Sequence, residues 1–241
     1  MNHQVVIFED AGWRRLYPAT LSRPSFDCRV GAATLARRLA LQLGRRDLKR
    51  VDLLCRAALR PVVEREYAGH GVNREPGEDV LFLNGRLLSL GDSLADLHTM
   101  LDKAVAVQSN GELLAARVTG EAASAFAADL SRALEAGEPA PFPRDHTVAG
   151  APKGLRLATH LWDLVAWNGE VLEDDFQWAN QPQFQRQPDL APGAQLLHRD
   201  RILARENVRV EAGAILDASA GPILLGEGAR VMHNAVVIGP A

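Results

Sequence analysis

From Ile202 to Ala241 the chain repeats itself every six positions. An aliphatic residue is followed four positions later by alanine in the pairs Val210/Ala214, Leu216/Ala220, Leu225/Ala229, Val231/Ala235 and Val237/Ala241. The aliphatic members step by six, nine, six and six, and the long step holds a three-residue insertion inside Ala220-Gly221-Pro222-Ile223-Leu224. A weaker match runs upstream through Ala204/Val208 and His198/Ile202. A short strand points alternate side chains to opposite faces, so a period of six predicts a triangular parallel β-helix with one hexad per face. The aliphatic residue points inward, only a small residue fits near the corner, and glycine and polar residues fill turns such as Gly226-Glu227-Gly228. At three hexads to a coil the segment holds about two coils. Stacked repeats need several units and a cap, so the tail is expected to continue in a longer protein or to be covered by another chain.

Upstream of the repeat the chain is long enough for one large domain. Hydrophobic residues at 47% and charged residues at 24% place it among globular proteins rather than disordered ones. No stretch is long and apolar enough to span a membrane, and the N-terminus reads as a strand, not a signal peptide. Cys28 and Cys55 form no metal or redox motif, which points to a reducing, cytoplasmic setting. The net charge of -3 argues against nucleic acid, although residues 1–65 carry thirteen Lys/Arg against six Asp/Glu. That excess either holds phosphates or decorates a solvated helix face, the reading favoured for Arg37, Arg38, Arg45 and Arg46.

Short apolar runs at Val5–Phe8, Val51–Cys55 and Val80–Leu83 predict buried strands. Leu35, Leu39 and Leu43 form a helical stripe ended by Gly44, and Pro61 opens a short helix. Asn110-Gly111 predicts a hairpin between 104–107 and 113–118. Residues 121–136 are alanine-rich and helical, closed by Gly137, and 139–152 is a proline-rich loop. Leu161 to Phe176 forms a helical row that Asn168-Gly169 is placed to kink or interrupt. Strands alternating with helices predict an α/β domain over residues 1–193 with a largely parallel sheet, followed by the incomplete repeat domain at 194–241. Ligands bind at the carboxyl edge of such sheets, which singles out the loop 9–27 and Asn84-Gly85-Arg86.

Four stretches carry a resemblance. They are Phe8-Glu9-Asp10 with Leu16-Tyr17-Pro18-Ala19-Thr20-Leu21-Ser22-Arg23-Pro24 and Arg29-Val30-Gly31; Leu83-Asn84-Gly85-Arg86; Trp162-Asp163-Leu164-Val165 with Asn168-Gly169 and Asp175-Phe176; and Leu216-Asp217-Ala218-Ser219 with Gly221-Pro222-Ile223. In this order they resemble a divergent branch of the sugar nucleotidyltransferases related to the bifunctional N-acetylglucosamine-1-phosphate uridyltransferase/glucosamine-1-phosphate acetyltransferase. The resemblance implies a Rossmann-like nucleotidyltransferase domain followed by the start of a left-handed parallel β-helix. It implies a nucleoside triphosphate and a sugar-1-phosphate as substrates, of the uridine triphosphate and N-acetylglucosamine-1-phosphate type. It also implies magnesium, pyrophosphate release and a homo-oligomer, a trimer, through the β-helix. Typical members open with a glycine-rich loop carrying an arginine and a later lysine, and place a magnesium-binding aspartate in the second loop. Here the glycines are mostly missing, Arg15 stands at the arginine position, Ser25 at the lysine and Arg86 at the aspartate.

Arg15 and Arg23 are the candidate catalytic residues, because a fork-shaped donor suits phosphate oxygens; the alternative is ion pairing with Glu9, Asp10 or Asp27. Asp10, Asn84, Gly85 and Arg86 are the candidate nucleotide- or substrate-binding residues. Asp10 binds metal or sugar hydroxyls, or caps a turn. Asn84 and Gly85 allow close backbone approach, or form a plain tight turn. Arg86 neutralises phosphate, or pairs with Glu9 or Asp10; it cannot bind a cation. For a metal, Asp10 or Asp163 are the candidates, although packing or capping suits Asp163 and Asn168 better. His146, His160 and His198 lack metal-ligand spacing, and His233 is a turn residue. The functional expectation is sugar-1-phosphate nucleotidyl transfer. The alternatives are a catalytically weak or inactive sugar-nucleotide-binding scaffold, and an acyltransferase whose catalytic coils lie outside the sequence.

Overall fold

The computed structural model describes residues 4–44, 51–144, 147–179 and 188–241. It divides into two compact units, Met1–Arg29 with Ala33–Leu164, and Val30–Ala32 with Val165–Ala241. The sequence-read boundary at 193 falls inside the second unit. In chain order the elements up to the repeat are β1 (Gln4–Phe8), β2 (Arg29–Val30), β3 (Ala33–Thr34), α1 (Leu35–Gln42), β4 (Val51–Leu54), α2 (Arg60–Glu66), β5 (Asp79–Asn84), β6 (Leu87–Ser89), α3 (Ser93–Leu101), β7 (Ala106–Ser109), β8 (Glu112–Thr119), α4 (Glu121–Ala136), β9 (Val148–Gly150), β10 (Leu155–Leu157) and α5 (Leu161–Ala179).

The first unit is built on a six-stranded sheet in the order β4-β1-β5-β8-β7-β9. Strand alternation sends Val5 and Ile7 of β1 to one face, against Ala36, Leu39 and Ala40 of α1 and Leu94, Leu97 and Leu101 of α3. Val6 and Phe8 go to the other face, against Ala123, Phe126, Leu130 and Leu134 of α4. Burial on both faces explains why these strands are continuous apolar runs. β4–β1, β1–β5 and β7–β9 are parallel, whereas β5–β8 and β7–β8 are antiparallel. The sheet is therefore mixed, not largely parallel, because the Asn110-Gly111 hairpin turns the chain back beside β5. α4 ends as its sequence predicts, at Gly137 with φ +74°.

Three departures have local causes. The loop 139–152 contains β9, an edge strand too short for an alternation signal. α5 runs through Asn168-Gly169 without a break. Arg38 is buried while Arg37 is exposed, because one residue turns the side chain by about 100° around a helix. Arg38 is thus no surface decoration, and Arg45 and Arg46 lie outside the described residues. No described helix is long and apolar enough to cross a membrane.

The second unit contains β11 (Asp189–Leu190), β12 (Gln195–Leu197), β13 (Ile202–Ala204), β14 (Arg209–Val210), β15 (Ile215–Asp217), β16 (Ile223–Leu225), β17 (Arg230–Val231) and β18 (Val236–Ile238). They form three short sheets, β11-β14-β17, β12-β15-β18 and β13-β16, with every pairing parallel. Neighbouring strands are one circuit apart: Asp189 pairs with Arg209 after 20 residues, and Arg209 with Arg230 after 21. The one additional residue of the second circuit sits at the corner between β15 and β16, residues 218–222, which is five residues long where the other corners have four; the matching corner of the first circuit is a short turn at Arg199–Arg201. Val210, Ala214, Leu216, Ala218, Ile223 and Val231 fill the interior. The Leu216/Ala220 pair is corrected by this packing: Ala220 is exposed, and Ala218 is the small inward residue.

In the same unit α5 binds the turn at 30–32. Asn168 Oδ1 accepts from Gly31 N at 2.8 Å, and Asp175 Oδ2 accepts from Ala32 N at 2.7 Å. Gly31 has φ +63°, and a Cβ there would run into Asp175 and Val171.

Candidate functional site

β1 and β5 are adjacent and parallel, with Phe8 beside Asn84. The loops that follow them therefore leave the same carboxyl edge of the sheet. Asp10 meets Asn84, Gly85 and Arg86 there, more than seventy positions further along the chain. Gly85 N donates to Phe8 O at 2.7 Å, and a Cβ on Gly85 would press on Phe26 and on that carbonyl. The glycine is thus required by packing. Asn84 is fully buried; its Nδ2 donates to Asp10 Oδ2 at 2.8 Å and to Leu113 O at 2.9 Å, while its Oδ1 accepts from Arg86 N at 2.9 Å.

Arg86 lies at 1% exposure and points back over Gly12 towards Asp10. Its Nε donates to Asp10 Oδ1 at 2.7 Å and its Nη2 to Asp10 Oδ2 at 2.6 Å. Nη2 also donates to Glu112 Oε2 at 2.7 Å, and Nη1 to Ala158 O at 2.7 Å. Burial works to lower the Arg86 pKa, but the hydrogen bonds and charge of Asp10 and Glu112 outweigh it and raise it. The side chain therefore stays charged. Gly12 N completes the ring of donors on Asp10 Oδ1 at 3.1 Å.

Glu112 bridges Arg86 to Arg15, whose Nη2 pairs with Oε1. Burial works to raise the Glu112 carboxyl, but the hydrogen bonds from Arg15 and Arg86, with their charges, hold it below the usual carboxylate range. Two carboxylates and two guanidinium groups thus balance one another. Arg15 is the exposed end of the network at 42%. Arg23 does not join it: half exposed, it lies 3.9 Å from Asp27.

A second ion pair fastens the loop. Glu9, at 1% exposure, accepts from Ser25 N at 2.9 Å and from Arg56 Nε at 3.0 Å. Burial pushes the Glu9 carboxyl up, against the opposing charge of Arg56. Arg56 also donates to Thr20 O at 2.7 Å and to Arg23 O at 3.1 Å, and lies 3.6 Å over the Trp13 ring. The Ser25 hydroxyl is buried with no hydrogen-bond partner among the described residues. Burial raises the thiol of Cys28 to about 11 and that of Cys55 to about 12, so neither is a ready nucleophile.

Asp163 belongs to the start of α5. Its Oδ2 accepts from Thr159 N and His160 N, both at 2.8 Å, and from Thr159 Oγ1 at 2.9 Å. An acid in the third helical position that reaches back in this way is one half of a capping box. Asp10 has no lone pair to spare, because a carboxylate has about four acceptor sites and four N–H groups already fill them. Among the described residues no three His, Cys, Asp or Glu converge to hold a metal. The residues present therefore do not fit the magnesium that the resemblance implies.

A profile of the sugar nucleotidyl transferase family matches residues 5–183, most of the chain and all of this edge. The chain belongs to the sugar nucleotidyl transferase family. No curated protein matches it. Among solved structures it is similar to mannose-1-phosphate geranyltransferase from Thermus thermophilus, at 15% identity over 99% of this chain and 92% of that one, with a TM-score of 0.40. That likeness is too loose to place individual side chains. Within the family domain, Glu112 and Arg56 are the residues of these networks that sequence reasoning missed, while Glu9, considered there as a partner of Arg15, Arg23 or Arg86, pairs with Arg56 instead. Glu112 was within reach: it follows the predicted Asn110-Gly111 turn, and pairing that hairpin with β5 brings it to the Asn84 end. Arg56 carried no signal beyond its position after the second strand.

Proposed function

We propose that the chain is a sugar-1-phosphate nucleotidyltransferase, of the kind that makes uridine-diphosphate-N-acetylglucosamine. The observation that carries this reading is the family match across residues 5–183 together with the meeting of the two edge loops at Asp10, Asn84, Gly85 and Arg86. In the reaction an oxygen of the sugar phosphate attacks the α-phosphorus of the nucleoside triphosphate in line. The bond to the β-phosphate breaks, and pyrophosphate leaves with the electron pair. Arg15 and Arg23, on the loop after β1, hold the phosphates and offset the charge that develops. The repeat segment is the start of a left-handed β-helix, through which subunits associate as a trimer. Outward-facing Leu197, Val236 and Ile238 on the β12-β15-β18 sheet support that surface. The test is pyrophosphate release from a panel of nucleoside triphosphates and sugar-1-phosphates with magnesium. Release with uridine triphosphate and N-acetylglucosamine-1-phosphate is expected, and silence across the whole panel would remove the reading.

One observation favours a second reading. Asp10 is sealed by Arg86, which suits a relative that binds sugar nucleotides without turning them over. Binding of a uridine-diphosphate sugar without pyrophosphate release would select it.

A further inference from the structure

The ion network has one end that is fixed and one that can exchange. Arg86 has five N–H donors; two are used on Asp10, one on Glu112 and one on Ala158. At 1% exposure, with Gly12 against its guanidinium, it has neither the freedom nor the access to turn to a ligand. A cation could reach Asp10 only by displacing a charge-assisted pair and then sitting beside the displaced guanidinium. Arg15 differs. It is 42% exposed, and its partner Glu112 is 27% exposed and keeps Arg86 when Arg15 leaves. Exposed ion pairs hold weakly, and a phosphate offers an arginine fork more charge and more acceptors than a carboxylate oxygen.

We propose that Arg86 is the permanent counter-cation of this edge, and that phosphate groups bind here by taking Arg15 from Glu112, without a divalent ion. The ligand class is the phosphate of a nucleotide or sugar phosphate. The inference rests on reading the edge as a phosphate site and is independent of turnover. Glu112 is then a built-in competitor, occupying Arg15 until an anion arrives and repelling that anion while bound.

The probes are uridine monophosphate, which binds magnesium weakly, and Mn2+ alone. Calorimetry on the full chain should give the same affinity for uridine monophosphate in EDTA and in magnesium. Arg15→Ala should weaken binding by about tenfold, the worth of a hydrogen bond to a charged group. Glu112→Gln should tighten it. Electron paramagnetic resonance should find no Mn2+ bound to the wild type without nucleotide. The proposal is overturned if affinity rises tenfold or more with magnesium, or if Glu112→Gln leaves it unchanged. It is likewise overturned if stoichiometric Mn2+ appears and is lost in Asp10→Asn, or if nothing binds in either buffer. Absence of pyrophosphate release in the separate assay removes the transferase reading and leaves this one standing.

Discussion

Deleting the Arg86 side chain would strand Asp10, a buried carboxylate, without two of its four donors. Breaking a buried pair from one side costs about 3–5 kcal/mol, and Arg86→Met is expected to lose that much in urea unfolding. Asp10→Leu combined with Arg86→Met should recover most of the loss, because an apolar pair leaves no charge uncompensated. A double mutant no more stable than Arg86→Met alone would refute this account. Glu112 supplies a pH signature. Its carboxyl is depressed in the folded chain, so its contribution is fully present above the unfolded value of about 4.3 and is lost as pH falls through the folded value. The stability gap between wild type and Glu112→Gln should therefore hold from neutral pH down to about 4.3 and narrow as pH falls further; a gap that stays constant on further acidification would mean that the pair with Arg15 and Arg86 contributes nothing. The same residues show what was legible beforehand. Asp10, Asn84, Gly85 and Arg86 could be singled out because they lie at or just past the ends of β1 and β5, and strand ends are visible in sequence. Which charges would pair was not visible, since that depends on β8 lying beside β5 and bringing Glu112 from a third segment.

Among the elements, α5 makes several polar tethers, and each can be tested by itself. Asp163 satisfies backbone N–H groups at the helix start and sits at the favourable end of its dipole. Asp163→Ala should cost about 1 kcal/mol, as lost caps do, with no effect on divalent-ion binding; a change in Mn2+ affinity would restore Asp163 as a ligand. Further along, Gly31→Ala should be more damaging than its small size suggests, since it meets both a positive φ and the Asp175 carboxylate. Equal thermal stability for the variant and wild type would show that the turn can move away from α5. Helix and strand periodicity located nearly every long element. It overlooked β9 because three residues carry no period, and it misjudged Asn168-Gly169 because a good asparagine contact outweighs an unfavourable helix propensity.

On the scale of the whole molecule, one exposed apolar surface among the described residues is the outward face of the β12-β15-β18 sheet. Val236 and Ile238 are 60% and 62% exposed and stand in register with Ile215 and Asp217. If this face joins subunits, Ile238→Arg should dissociate the assembly, read by sedimentation as a fall to monomer mass, with circular dichroism unchanged. A monomeric wild type at the same concentration would count against the trimer. The circuits themselves add another consequence. Their corners are four residues long except the one between β15 and β16, residues 218–222, which takes a fifth. The fifth residue is taken up while the three sheets keep their alignment, so the exposed Ser219-Ala220 step of that corner is where a foreign peptide, an epitope or a reporter loop could be spliced in with buried Ala218 left in place.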